Sequence, residues 1–114
     1  MAGNEEKMKT IFYDKNNDIL ALHKGFLQDE GFKGNLDAGD LVLDISTKGR
    51  VRGVEIFNAV SFLKEFGVTG KILNTLKDAS FNAVVRPASI SLGIIFKSAE
   101  REIPAKVAVP LKAF

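Results

Sequence analysis

The sequence lacks cysteine altogether and contains a single histidine among its 114 residues. Without cysteine the chain has no disulfides, no thiolate metal ligands and no cysteine nucleophile. Long apolar runs are also missing, which argues against a signal peptide and a membrane span. We therefore expect a protein that does not enter a membrane. The lack of cysteine is compatible with a reducing cytoplasm, which is the location we expect.

Few residues could support catalysis. A nucleophilic triad needs a base that orients a hydroxyl or a thiol. His23, the only histidine, lies in a predicted strand, and the sequence indicates no nucleophile that it could activate. The four glycines of residues 25–40 are not followed by the Gly-Lys-Ser/Thr sequence and helix start of a phosphate loop. We therefore predict no cofactor, and we assign no residue to catalysis, cofactor binding or metal binding.

The net charge of +2 is small. The last third of the chain is mildly basic, but its cations are scattered: Arg86, Lys97, Arg101, Lys106 and Lys112. A nucleic-acid-binding surface usually clusters its cations on one face or along a helix. The pattern argues against nucleic acid as a partner and favours an ordinary solvated surface.

The first part of the chain has the pattern of a β-hairpin. The runs "KTIFYD" and "ILALHK" are strand-like, and the turn cluster "KNND" separates them. Asp14 and Asp18 flank this turn, where aspartate side chains accept hydrogen bonds from nearby backbone N–H groups. A metal site would need more converging oxygen ligands than this pair supplies. Turn chemistry is therefore the preferred interpretation of the pair.

A second hairpin is predicted in residues 41–57. If "KG" forms a two-residue loop, Leu43 pairs with Val54 and most apolar side chains share one face. The opposite face then carries Val42, Asp44, Ser46, Val51, Gly53 and Glu55. Such clean sorting supports the register. Asp44 and Glu55 are thereby predicted to lie together on the back of the sheet.

Glycine content and the spacing of apolar residues predict the structure of the regions on either side of this hairpin. The glycine-rich stretch 25–40 predicts an irregular connection with a short edge strand near residues 32–36. A helical spacing after Asn58 predicts two short helices, with Gly67 ending the first.

Alternation returns after residue 78 and predicts three further strands. Pro104 and Pro110 place the last of them at an edge. We therefore predict an α+β fold in a single domain, residues 1–114. It would comprise antiparallel hairpins, two short central helices on one side, and a C-terminal antiparallel three-stranded meander. Residues 1–8 are expected to be disordered.

Two segments carry a resemblance to a known family. One segment, "FYDKNNDILALH", is similar to the start of a hairpin with a Tyr-Asp…Asp pattern. The other, "LVLDISTKGRVRGVEIFNAVSF", is similar to a strand, a turn, a second strand with the pattern Gly-Val/Ile-Glu-Ile, and the start of a helix. The matching residues are Tyr13, Asp14, Asp18, Asp44, Gly49, Gly53, Glu55, Ile56, Asn58 and Ala59. On these residues, the core of residues 9–66 resembles the YuzE-like family of small proteins, a domain of unknown function. Residues 67–114 form an extension that short members lack.

The resemblance implies a β-meander packed by a helix, and a protein-binding or antitoxin-like role. The chain departs from the family pattern at Asn58, where an acidic residue is common, at His23 and in residues 25–40.

The candidate polar face, functional or structural, consists of Asp14, Asp18, Asp44 and Glu55. Neighbouring carboxylates such as Asp44 and Glu55 can split their pKa values and act as acid and base. In the preferred interpretation, Glu55 instead accepts hydrogen bonds from the backbone of residues 25–40 and anchors that loop. It is then a structural residue.

These interpretations give two hypotheses for function. The first is a non-enzymatic protein-interaction module, antitoxin-like or homodimeric, because nucleophile, phosphate loop and thiolate site are missing and edge strands can pair. The second is a small carboxylate-using hydrolase or metal-dependent enzyme with its site at Asp44 and Glu55. A concave cluster of the four carboxylates would favour the second hypothesis, and a flat, solvated arrangement the first.

Overall fold

The structure, a computed structural model, describes residues 7–99 and 101–111. The first sheet contains β1 (Thr10–Asp14), β2 (Ile19–His23), β3 (Phe32–Ala38), β4 (Leu41–Ser46) and β5 (Val51–Phe57). The connection to the second sheet contains α1 (Ala59–Leu63), a 3-10 turn (Lys64–Phe66) and α2 (Gly70–Asn74). The second sheet contains β6 (Asp78–Val85), β7 (Ser89–Lys97) and β8 (Glu102–Pro110).

The two sheets share one hydrophobic core. Their strand orders are β1-β2-β5-β4-β3 and β6-β7-β8, and all neighbouring strands are antiparallel. The first sheet contributes side chains that are at most 2% exposed: Leu20, Leu22, Leu41, Leu43, Val54 and Ile56. The second sheet contributes Phe81, Ile90, Leu92, Ile94, Phe96, Ile103, Ala105 and Val109. The molecule is thus a two-layer β-sandwich.

The predicted α+β class is wrong, because the fold is mostly β. Strands account for 54% and helices for 12% of the described residues. The helical apolar spacing after Asn58 does produce helices, but α1 and α2 have only five residues each. Helices this short cannot cover a sheet. The second sheet covers the first, and the helices make the turn between them.

The predicted register of the β4–β5 hairpin is confirmed over most of its length. Leu43 faces Val54, and Val42 faces Glu55. The β1–β2 hairpin is also confirmed, and the expected edge strand is β3, which is longer than predicted.

The loop of the β4–β5 hairpin differs from the prediction by one residue. The Ser46 N–H donates to the Arg50 carbonyl at 2.9 Å, and Gly49 has a φ of 76°. This geometry makes a three-residue loop that ends in a left-handed residue. A β-bulge at Arg52 then adds one residue to β5. The two displacements cancel beyond the bulge, but Val51 lies in the core instead of on the back of the sheet.

The ends of the helices and of β8 follow local chemistry. The Thr69 hydroxyl accepts the Ile72 N–H at 3.3 Å and caps α2, while Gly67, with a φ of 82°, ends the turn that follows α1. Pro104 and Pro110 lie in β8 at the edge of the second sheet, as predicted.

The expected disorder of residues 1–8 falls mostly outside the described residues. Met8 is described, and it is partly buried against the core. Within residues 7–99 and 101–111, helices that combine enough length with enough apolar character to cross a membrane are absent.

Candidate functional site

The back face is the surface of the first sheet that points away from the core. Strand pairing arranges it in two central rows. The first row is Thr10, His23, Gly53, Asp44 and Asn35, and the second is Phe12, Ala21, Glu55, Val42 and Asp37. Asp44 and Glu55 therefore share this face, as the sequence predicted. They are diagonal neighbours on adjacent strands.

Gly53 gives His23 and Asp44 room to approach each other across β5. The three residues are direct neighbours on β2, β5 and β4. A Cβ atom at position 53 would lie 2.5 Å from His23 Cδ2 and 2.6 Å from Asp44 Oδ2. Because glycine has no Cβ atom, His23 Nε2 lies 3.4 Å from Asp44 Oδ2 above it. A larger residue at this position would separate the pair.

Both ring nitrogens of His23 are engaged. Nδ1 accepts the Gly25 N–H at 2.7 Å, which places the proton of the neutral ring on Nε2, facing Asp44. A general base needs a free lone pair within reach of the proton that it removes. The arrangement fixes the ring on the sheet and leaves it without that lone pair.

Aromatic side chains are exposed on and around the back face. Phe12 is 58% exposed, and Phe57, in line with the same face, is 37% exposed. Phe26 packs edge-on against His23, with ring centroids 5.2 Å apart, and against Phe32 at 6.3 Å. Phe32 itself is 55% exposed. The back face therefore combines carboxylates with large apolar surfaces.

Asp14 lies in the row of Ile19 and Phe57 at the end of the back face, but its carboxylate is engaged in the β1–β2 turn, and Asp18 lies in that turn. Asp14 accepts N–H groups of Asn16 and Asn17 in the β1–β2 turn, at 3.1 and 3.2 Å. Its hydrogen bonds with the Asn17 side chain and backbone lower the pKa of Asp14. The turn interpretation of Asp14 is confirmed.

Asp18 has a different role, at the start of α1. Its carboxylate accepts the Val60 N–H at 3.1 Å, and its carbonyl accepts the Ala59 N–H at 3.1 Å. The Tyr13 hydroxyl donates to the same carboxylate at 2.6 Å. Asp18 thus joins the first hairpin to the helical connection.

Tyr13 is expected to titrate well above the ordinary tyrosine range. Burial, followed by the hydrogen bond to Asp18, raises the pKa of Tyr13 from 10.0 to about 12. Since the raised pKa favours the neutral phenol, its contribution to stability is complete below pH 10 and disappears as the pH rises through about 12. The chain has one tyrosine, so tyrosinate absorbance during an alkaline titration reports on Tyr13 alone. Asp18→Asn should lower this pKa. A midpoint near 10 in the wild type would contradict the expectation.

Glu55 does not anchor the glycine-rich loop. In the part of the chain that the structure describes, its carboxylate has no hydrogen bond or ion pair with residues 25–40, contrary to the sequence expectation. Glu30 makes such contacts instead. Its side chain is fully buried, with Oε1 3.1 Å from Arg50 Nη1 and Oε2 3.1 Å from Arg52 Nε.

The environment of Glu30 favours its charged form. Burial by itself raises the pKa of Glu30, but hydrogen bonds from the Leu27 N–H and the Ser46 hydroxyl, together with Arg52 and Arg50, lower it below the ordinary value. Arg52 also donates to the Gly25 carbonyl at 2.7 Å. These contacts fix the loop to the end of the sheet.

Sequence reasoning missed this network. Glu30 lies among glycines, where alternation carries no information, and its partners come from a bulge and a hairpin loop. One signal was available: Arg52 interrupts an apolar strand, and a buried arginine requires an acidic partner.

Two cavities lie among the described residues, and neither is lined by Asp14, Asp18, Asp44 or Glu55. One, of about 540 Å³, lies against the second sheet beside Lys24 and Phe81. The other, of about 600 Å³, lies between the edge strands β3 and β8. Within these residues, His, Asp and Glu side chains also form no group of three or more suited to a metal ion.

Comparison with known proteins finds a family model that is similar to the first sheet. Residues 10–59 match the family model described as "Protein of unknown function (DUF2283)". The match covers all of β1–β5 and ends at the first residue of α1. No curated protein and no solved structure matches the chain. Residues 10–59, which form the five-stranded sheet, are therefore similar to the DUF2283 family, whose function is unknown.

Proposed function

We propose that the protein is a non-enzymatic interaction module that binds a partner protein through the back face of its first sheet. The observation that carries the proposal is the exposure of phenylalanine side chains on and around this one surface. In an antiparallel sheet with one face on the core, the outer face is normally polar. A surface with several exposed aromatic residues is typical of a binding site, since aromatic residues are enriched at protein interfaces.

The flat geometry of the site supports binding over catalysis. The two candidate carboxylates, Asp44 and Glu55, lie on an open sheet surface, away from both cavities. His23 Nδ1 accepts the Gly25 N–H and its Nε2 lies 3.4 Å from Asp44 Oδ2, so the ring is held in place. The arrangement matches the flat alternative that favours an interaction module, and the hydrolase or metal-enzyme hypothesis has no comparable support.

The kind of partner, the cellular location and the oligomeric state are further parts of the proposal. A YuzE-like assignment would make the partner toxin-like and the role antitoxin-like. The cytoplasm is the proposed location, because the chain contains no cysteine. A homodimer is the other form of partnership that the edge strands permit.

Substitution of the exposed aromatic residues should abolish partner binding. The wild type is used to capture its partner protein from a lysate of the cells that produce it naturally, and we expect the double variant Phe12→Ser/Phe57→Ser not to capture that partner. Truncating aromatic side chains at an interface commonly weakens binding by about 30-fold or more. Val84→Ser/Val85→Ser is the matched control, since these residues of β6 are 49% and 52% exposed. Capture is followed by identification of the bound proteins by mass spectrometry.

Two results would contradict the proposal. One is recovery of the same proteins by all three forms, which would show that the back face is not involved. The other is hydrolytic turnover by the wild type that disappears in Asp44→Asn or Glu55→Gln, which would establish the enzyme hypothesis.

A further inference from the structure

The acidic and basic side chains in the two central rows of the back face, apart from His23, are all carboxylates. These rows contain three carboxylates, on Asp37, Asp44 and Glu55, and neither lysine nor arginine. Asp44 has the imidazole of His23 beside it, at 3.4 Å. Glu55 has no hydrogen bond or ion pair among the described residues. The acidic character of this surface is therefore not neutralised by cations within the same rows.

This acidity is local, because the whole chain has a net charge of +2. Some carboxylates elsewhere in the fold are paired with arginine or lysine. Glu30 lies against Arg50 and Arg52, and Glu102 lies 3.7 Å from Lys97. The back face differs from these places, since its carboxylates are near phenylalanine rings.

The charge pattern distinguishes between a second copy and a different protein. Two copies docked back face to back face about a two-fold axis would bring three carboxylates towards three others. Like charges that face each other across an interface are destabilising and disfavour that partner. A partner with lysine or arginine side chains would meet the carboxylates with opposite charge. Its aliphatic stems would pack on Phe12 and Phe57, and its cations could lie over aromatic rings.

Resting on the proposed function, we infer that the back face binds a basic segment of a different protein, in which lysine or arginine alternates with apolar residues. In an extended segment with this alternation, the cationic side chains all lie on one side. Their spacing is that of alternate residues along a strand of the sheet. Charge complementarity supplies orientation and encounter rate, and the aromatic residues supply the buried apolar area.

The inference is tested with synthetic peptides and the full chain. The probes are three peptides of equal length in which leucine alternates with arginine, glutamine or glutamate, and binding is followed by fluorescence anisotropy. We expect only the arginine peptide to bind, and its affinity to fall as salt is added. Asp44→Asn/Glu55→Gln should weaken binding about fivefold, the value for two exposed ion pairs. Since the whole protein is cationic, non-specific attraction would not favour the arginine peptide.

The matched control is Glu65→Gln/Glu102→Gln. It removes the same two charges from exposed residues outside the first sheet and should leave peptide binding unchanged. Equal losses in both double variants would overturn the inference, because net charge and not the back face would then determine binding. Equal binding of all three peptides, or no binding of the arginine peptide, would also overturn it. So would self-association of the wild type that Phe12→Ser removes, since the occupant would then be a second copy.

Failure of this inference can be separated from failure of the proposed function. Suppose that Phe12→Ser/Phe57→Ser no longer captures the partner protein from lysate but Asp44→Asn/Glu55→Gln still does. The back face then binds a partner without recognising its basic side chains. The inference is then overturned and the interaction module stands. If neither double variant changes capture, both are overturned.

Discussion

A fragment that ends at Phe66 should show no cooperative unfolding transition at low protein concentration. It retains the complete first sheet but lacks the sheet that covers it. Six aliphatic side chains of the first sheet, each at most 2% exposed in the intact chain, would then face water. Burying one such side chain contributes roughly 1.5–3 kcal/mol. The combined loss, about 9–18 kcal/mol, is at least as large as the stability of most whole domains, which is about 5–15 kcal/mol.

The measurement is circular dichroism during urea unfolding of the fragment and of the full chain at equal concentration. The full chain is the control and should unfold in one sigmoidal transition. A fragment that unfolds as sharply as the full chain, at a midpoint independent of its own concentration, would contradict the expectation. It would mean that the second sheet adds little to the core.

Arg52→Leu is expected to lower the free energy of unfolding by about 3–5 kcal/mol, because removing one member of a buried ion pair leaves its partner uncompensated. Arg52 is only 3% exposed. Its Nε lies 3.1 Å from the Glu30 carboxylate and donates to the Gly25 carbonyl at 2.7 Å. Arg50 remains near Glu30 in the variant, but its own side chain is 45% exposed. Amide exchange in residues 25–31 should also quicken, since the loop loses its attachment to β5.

Glu55→Gln is the matched control for this prediction. It changes a charge on the neighbouring part of β5, but on the back face, where no anchoring contact is lost. We expect its effect on the free energy of unfolding to stay within about 0.5 kcal/mol, as for ordinary surface substitutions. Chemical denaturation of the three forms at neutral pH makes the comparison. A larger loss for Glu55→Gln than for Arg52→Leu would restore Glu55 as the residue that holds the loop.

The parts of the fold that the sequence predicts well are those in which one physical pattern acts alone. Alternation between a buried and an exposed face places Leu43 opposite Val54, and it places Asp44 and Glu55 together on the back face. The turn residues of the first hairpin are equally local, because Asp14 is bonded to backbone groups two and three residues away.

The errors arise where contacts are distant in the chain. Apolar spacing between residues 58 and 76 indicates helices, but it does not reveal that they are too short to cover a sheet. The alternation of β6–β8 predicts strands but does not indicate which surface they cover, so the sequence leads to an α+β class. The candidate site shows the same limit. The aromatic surroundings of His23 come from residues 26 and 32, whose approach depends on the path of a loop held by Glu30.

The second sheet has a thermodynamic consequence of its own. It is tethered to the first by about twenty residues, so covering the first sheet is an intramolecular event with a fixed effective concentration, on the order of millimolar for flexible tethers. A chain that stopped after the first sheet would need another molecule to cover the same apolar surface, and its folded fraction would rise and fall with its abundance. Because the second sheet belongs to the same chain, covering the first sheet does not itself require another molecule, and the outer surface of the first sheet is left to other contacts.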